Sequence, residues 1–119
     1  MSKPLVALQL YTVRDEMAQD FKGTVRKVAQ MGYPGVELAG TGGLSAAEMG
    51  DLLAETRLKP AGSHIGLRAF EKELDQVIAF NKAIGNAYVG IPALPGEMRN
   101  PAGFRKIAAF MNHIGAQLK

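Results

Sequence analysis

The stretch GSHIG, positions 62–66, sets a single histidine among small and aliphatic residues. An imidazole titrates near neutrality and can hold, give or take a proton. Candidates to work beside His64 are few: Glu37 in GVELAG, and Gln9 and Tyr11 in LVALQLY. A carboxylate next to an imidazole is the start of an acid–base pair, and an amide and a phenol can orient a polar ligand. The only other histidine is His113, and the chain has no cysteine, which rules out disulfides and thiolate metal sites. One carboxylate and one imidazole are too few for a defined divalent-metal site, so no metal ligand is assigned in this chain.

Four strand–helix units must position these residues. Helical periodicity shows in four places. The first helix runs from about Asp20, with Phe21, Val25, Val28 and Ala29 on one face and Gly32 as its stop. Ser45 and Glu48 form a capping box at the start of the second, which carries Met49, Leu52 and Leu53. A third helix has Phe70, Leu74, Val77, Ile78 and Ile84, with Gly85 as its stop. At the fourth, Asn100 caps, Pro101 fits the first turn, and Phe104, Ile107, Ala108, Met111, Ile114 and Leu118 make the stripe. His113, near the end of that helix, reads as a surface residue suited to the helix dipole.

A short strand-like segment precedes each helix: LVALQLY (5–11), GVELAG (35–40), AGSHIG (61–66) and AYVGIPAL (87–94). Strands alternating with helices predict a parallel sheet with right-handed crossovers. The strand faces differ. Leu8, Leu10, Val36, Leu38, Val89 and Ile91 form an aliphatic face, whereas Gln9, Tyr11, Glu37, Gly62, His64 and Tyr88 are small, aromatic or polar. Helices are therefore expected on one face only, with the other lining a barrel interior. Gln9, Glu37 and His64 fall in the C-terminal halves of their strands, the end where barrel active sites gather.

The segments LQLYTVRDEM, MGYPGVELAG, LKPAGSHIGL and YVGIPALP, in this order and spacing, resemble the sugar phosphate isomerase/epimerase family of xylose-isomerase-like TIM barrels. The resemblance implies a (β/α)4 half of a TIM barrel spanning residues 1–119 as one domain, equivalent to the N-terminal half. It also implies sugar isomerisation or epimerisation at a divalent metal (Mn, Mg, Co or Zn) in the full-length family. That family's metal ligands come mainly from the last four strands, which have no counterpart here, so activity of this chain alone is not expected. Gln9, Tyr11, Glu37 and His64 correspond to the substrate-binding wall, for a small sugar ligand. On residue type alone His64 would be a half-buried histidine bonded to a carbonyl; its strand-end place and its family position favour the pocket.

A half-barrel leaves two open edges and a bare inner face. Closure of eight strands by a homodimer, or by a separate C-terminal half, is the expected remedy, and a homodimer would bring two Glu37 and two His64 to one mouth. A non-catalytic, self-associating module is the alternative reading. Apurinic endonuclease chemistry, known in a related barrel family, needs several histidines and ranks behind.

Other features exclude function classes. The 14 Lys and Arg are scattered among 11 acids, without the clustering that nucleic acid requires. No apolar run approaches the roughly 20 residues of a membrane span, and the N-terminus lacks a secretory pattern, so a cytoplasmic protein is expected. AGTGG (39–43) lacks the spacing and the lysine of a phosphate loop, and reads as a flexible loop at the catalytic end.

Overall fold

A computed structural model describes residues 2–118. Its elements run β1 (Leu8–Gln9), a 3-10 turn (Leu10–Val13), α1 (Arg14–Gln19), α2 (Phe21–Gln30), β2 (Gly35–Ala39), α3 (Ala46–Thr56), β3 (Lys59–His64), α4 (Leu67–Lys72), α5 (Leu74–Ala83), β4 (Val89–Gly90), a second 3-10 turn (Gly96–Met98) and α6 (Pro101–Leu118). The strands form one sheet in the order β1-β2-β3-β4, every neighbouring pair parallel. Helices pack on one face of it, as the asymmetry of the strands predicted.

Local signals set several of the helix ends. Asp20 accepts from the Gly23 amide and opens α2. Ser45 and Glu48 exchange side-chain and backbone hydrogen bonds as a complete capping box. Asn100 accepts from the Gly103 amide at 2.8 Å and opens α6. Gly32 and Gly85 both follow helix ends with positive φ, +95° and +72°, a conformation that glycine alone enters freely.

Burial is concentrated under the first three strands. Val36 and Leu38 of β2 and Leu10 are sealed by Met17, Val25, Val28, Met49, Leu52, Leu53, Leu58 and Ile84. A smaller cluster of Phe70, Val77 and Ile114 lies towards β4. The stripes of α2, α3 and α5 turn towards the aliphatic face of the sheet as their periodicity requires, whereas of the stripe read on α6 only Ile114 is buried and Phe104 is exposed.

Three expectations are corrected. Residues 5–11 and 87–94, read as full strands, pair over only two residues each, because an edge strand is laddered only where its single neighbour runs alongside. The charged run after Tyr11, read as following a strand, forms α1, whose Met17 joins the core. The single third helix is two: Glu73, at φ −135°, lies outside helical space and separates α4 from α5, while Phe70 and Val77 on either side still meet in one cluster.

Candidate functional site

β1 and β2 run in register with Leu8 beside Val36 and Gln9 beside Glu37. The first pair faces the helices; the second therefore faces the open side, since successive side chains alternate across a strand. Gln9 Nε2 donates to Glu37 Oε1 at 2.7 Å.

His64 reaches the same oxygen through an irregularity. The β2–β3 register moves from Val36 opposite Pro60 to Glu37 opposite Gly62, leaving Ala61 as the extra residue of a bulge. Unbulged, Ala61 and Ser63 would share the face of Glu37, and His64 would turn towards the helices. With the bulge, Gly62 and His64 take that face, and His64 Nε2 lies 2.9 Å from Glu37 Oε1. An ionised carboxylate only accepts, so this contact places a proton on Nε2 and leaves Nδ1 of the neutral ring as an acceptor.

Gly62 leaves room for this arrangement. A Cβ built there would stand 3.3 Å from Glu37 Oε2 and 3.5 Å from the Tyr88 carbonyl, closer to the carboxylate than a side chain sits comfortably. The Glu37 and His64 side chains are 32% and 29% exposed, half-covered groups still open to a ligand.

Gln9, Tyr11, Ala39, His64, Pro92 and Ala93 line a depression of about 510 Å³ on the open side. Glu37 sits one rung deeper and ties Gln9 to His64. Tyr11 stands apart from that network: the 3-10 turn lifts it out of the strand, and Arg14 holds it. The Arg14 guanidinium lies 4.4 Å from the ring centroid and donates to the Tyr11 carbonyl at 3.1 Å. His64 also borders a second depression, of about 420 Å³, with Gly40 and Thr41 of the AGTGG loop and with Glu73 and Gln76.

Sequence reading missed Arg14, Pro92 and Ala93. Arg14 follows Tyr11 by three residues, a helical spacing hidden by reading the stretch as a strand. Pro92 and Ala93 carry no chemical signal; only the end of β4 places them at the mouth. His113 is exposed and meets Gln117 at 2.8 Å on the surface of α6.

A divalent metal of the kind the resemblance implies does not fit the donors present. Among the described residues no three His, Asp or Glu side chains converge, and Glu37 Oε1 is already engaged by Gln9 and His64. No helix of the described residues is long and apolar enough to cross a membrane.

A parallel sheet with helices on one face and a polar mouth at the C-terminal strand ends defines the class: the four-stranded half of a TIM barrel. Two crystal structures, both titled as a sugar phosphate isomerase/epimerase from Parabacteroides distasonis ATCC 8503, have this fold. One matches with a TM-score of 0.74 at 16% identity, over 99% of this chain and 48% of that chain. The other matches at 0.72 and 18% identity, over 98% of this chain and 50% of that chain. This chain thus spans about half the length of the solved structures it matches, in agreement with the half-barrel read from its sequence. No protein-family model and no curated protein matches it.

Proposed function

We propose that the chain supplies the substrate-facing wall of a sugar isomerase- or epimerase-type barrel and binds a polyhydroxylated, sugar-class ligand at the mouth formed by Gln9, Tyr11 and His64. The supporting observation is the convergence of Gln9 and His64 on one oxygen of Glu37, facing the open side at the strand ends. Such a wall offers both donors and acceptors at fixed separation, which suits a ligand carrying a hydroxyl on each carbon. Glu37 sets the ring orientation of His64, and Nδ1 can accept a ligand hydroxyl. Tyr11, steadied by Arg14, provides an aromatic face of the kind on which a sugar ring rests.

Isomerisation also needs a second group to hold the developing oxyanion. The described residues offer none at this mouth, so turnover is assigned to the barrel completed by another half. A second reading, a non-catalytic module, is favoured by the exposure of the large apolar side chains of Tyr88 and Leu5. Titrating aldoses, ketoses and their phosphates while following backbone amide and His64 ring NMR signals tests the first. Millimolar binding that shifts Gln9 and His64 and is lost in Glu37→Ala supports it. Absence of shifts, or equal binding by the variant, rejects it.

A further inference from the structure

The two hydrophobic clusters under the sheet do not merge. Leu44 and Phe80 pack against the larger one, whereas Val77 belongs to the smaller, with Ile65 and Ala69 packed against it. Where the clusters part, the depression of about 420 Å³ that His64 borders opens between them, and all five of these side chains line it. Glu73 and Gln76 line it as well, beside the point where α4 gives way to α5. Every lining residue falls between positions 40 and 81, and β3, which runs along it, is paired on both edges. The depression thus belongs to the middle of the sheet and involves neither outer strand.

One group on its wall has no protein partner. Ser63 lies beside Leu38, on the helix side of the sheet, because the bulge sends Gly62 and His64 to the open side. The residue is 6% exposed, and its hydroxyl makes no hydrogen bond among the described residues. No fully buried side-chain oxygen or nitrogen among them lacks a partner, so the Ser63 hydroxyl keeps contact with open space, on the wall of this depression. A hydroxyl set in apolar surroundings is a strong anchor for a group that can bond it. Charge narrows the choice further. No Lys or Arg lines the depression, and Glu73 at its rim repels anions.

We propose that this depression binds a small uncharged molecule with an apolar body about the size of one ring and a single hydroxyl. The hydroxyl seats on Ser63, and the body lies between Leu44, Val77 and Phe80. Sugars do not suit it, since these walls leave most of a sugar's hydroxyls unpaired. Sugar phosphates suit it still less, for want of a cation. His64 is the one residue that borders both this depression and the mouth with Gln9 and Tyr11. Occupation is therefore felt at the His64 ring from the helix side, without contact with the mouth. The inference does not rest on the sugar reading, because the two ligands touch different groups.

Phenol, benzene and benzoate, titrated in turn into the full chain and followed by backbone amide and His64 ring NMR signals, test it. Phenol should shift the amides of Ser63, Gly66 and Ala69 and the His64 ring, with Gln9 and Tyr11 unmoved. Benzene should bind at the same place about fivefold more weakly, the usual worth of one hydrogen bond. Benzoate should not bind. Ser63→Ala should bring phenol down to the affinity of benzene while leaving urea stability unchanged or slightly raised, since the hydroxyl removed has no protein partner. Ala69→Leu, or Ala69→Val if that variant does not fold, should exclude both ligands by filling the space. Equal affinity for phenol and benzene, undiminished phenol binding by Ser63→Ala, or shifts confined to Gln9 and Tyr11 would each overturn the site.

Discussion

Leu38 and Glu37 are neighbours on β2 and live in different surroundings. Leu38 is sealed under α2 and α3 by the chain's own helices. Glu37, one residue earlier, points to a face that nothing in the described chain covers, and is held by two side chains instead of by packing. One side of this sheet is a finished core and the other an unfinished one. A sheet needs both faces covered or wetted, and here polarity is spent only at the strand ends, where a ligand would sit.

Substitutions on the two faces should measure that difference. Leu38→Ala is expected to cost about 3 kcal/mol in urea unfolding, the usual result of emptying a filled core site. Glu37→Ala on the opposite face should cost below about 1 kcal/mol, because it loses only half-exposed hydrogen bonds. Equal costs would mean that the inner face is as well packed as the outer one.

A smaller effect is expected at the rim of the finished side. Ser45→Ala removes the acceptor that caps α3 and should lower stability by about 1 kcal/mol. A negligible loss would show that α3 is held by Met49, Leu52 and Leu53 alone.

The smallest concerns the ion pair that links α2 to α3 on the solvent side. Arg26 meets Glu55 through two contacts, of 2.6 and 3.1 Å. The hydrogen bond from Arg26 holds the Glu55 carboxyl below its ordinary range, with burial opposing it and the Arg26 charge assisting. A lowered native value means that the pair stabilises at pH above the unfolded-state value and loses that contribution as pH falls through the native one. Both groups are well exposed, so the effect is small and screened by salt. Comparing melting temperatures of wild type and Glu55→Gln should show a slight wild-type advantage at neutral pH that vanishes in acid or high salt. An advantage persisting in acid would place the interaction elsewhere than in the charge.

Much of the fold was legible because its signals are local. Ser45 with Glu48, Asn100 with Pro101, and glycines 32 and 85 each mark a helix end through bonds within a few residues. The separation of aliphatic from polar parity likewise needed nothing beyond the strands themselves. What stayed hidden depended on neighbours. Glu73 is an acceptable helix residue by type, and nothing in the neighbouring residue types marks it as the point where α4 ends and α5 begins. The brevity of β1 and β4 reflects the partner strands and not their own composition. Tyr11 looked like a strand residue because LVALQLY alternates; the turn at Leu10 overrode that pattern, and Leu10 entered the core.

By itself the sequence determined four strand–helix units, a one-sided helical layer, and the chemical types at the mouth. These follow from periodicity and capping, which operate over a few residues. Parity placed Glu37 and His64 on one face; only the tertiary structure decided that they meet through a bulge. The extra residue at Ala61 turns the end of β3 by one step relative to β2, and a single step is what separates a histidine facing a ligand from one facing a helix. That step is set by how two strands distant in the chain lie against each other, a relation no short window of residues contains.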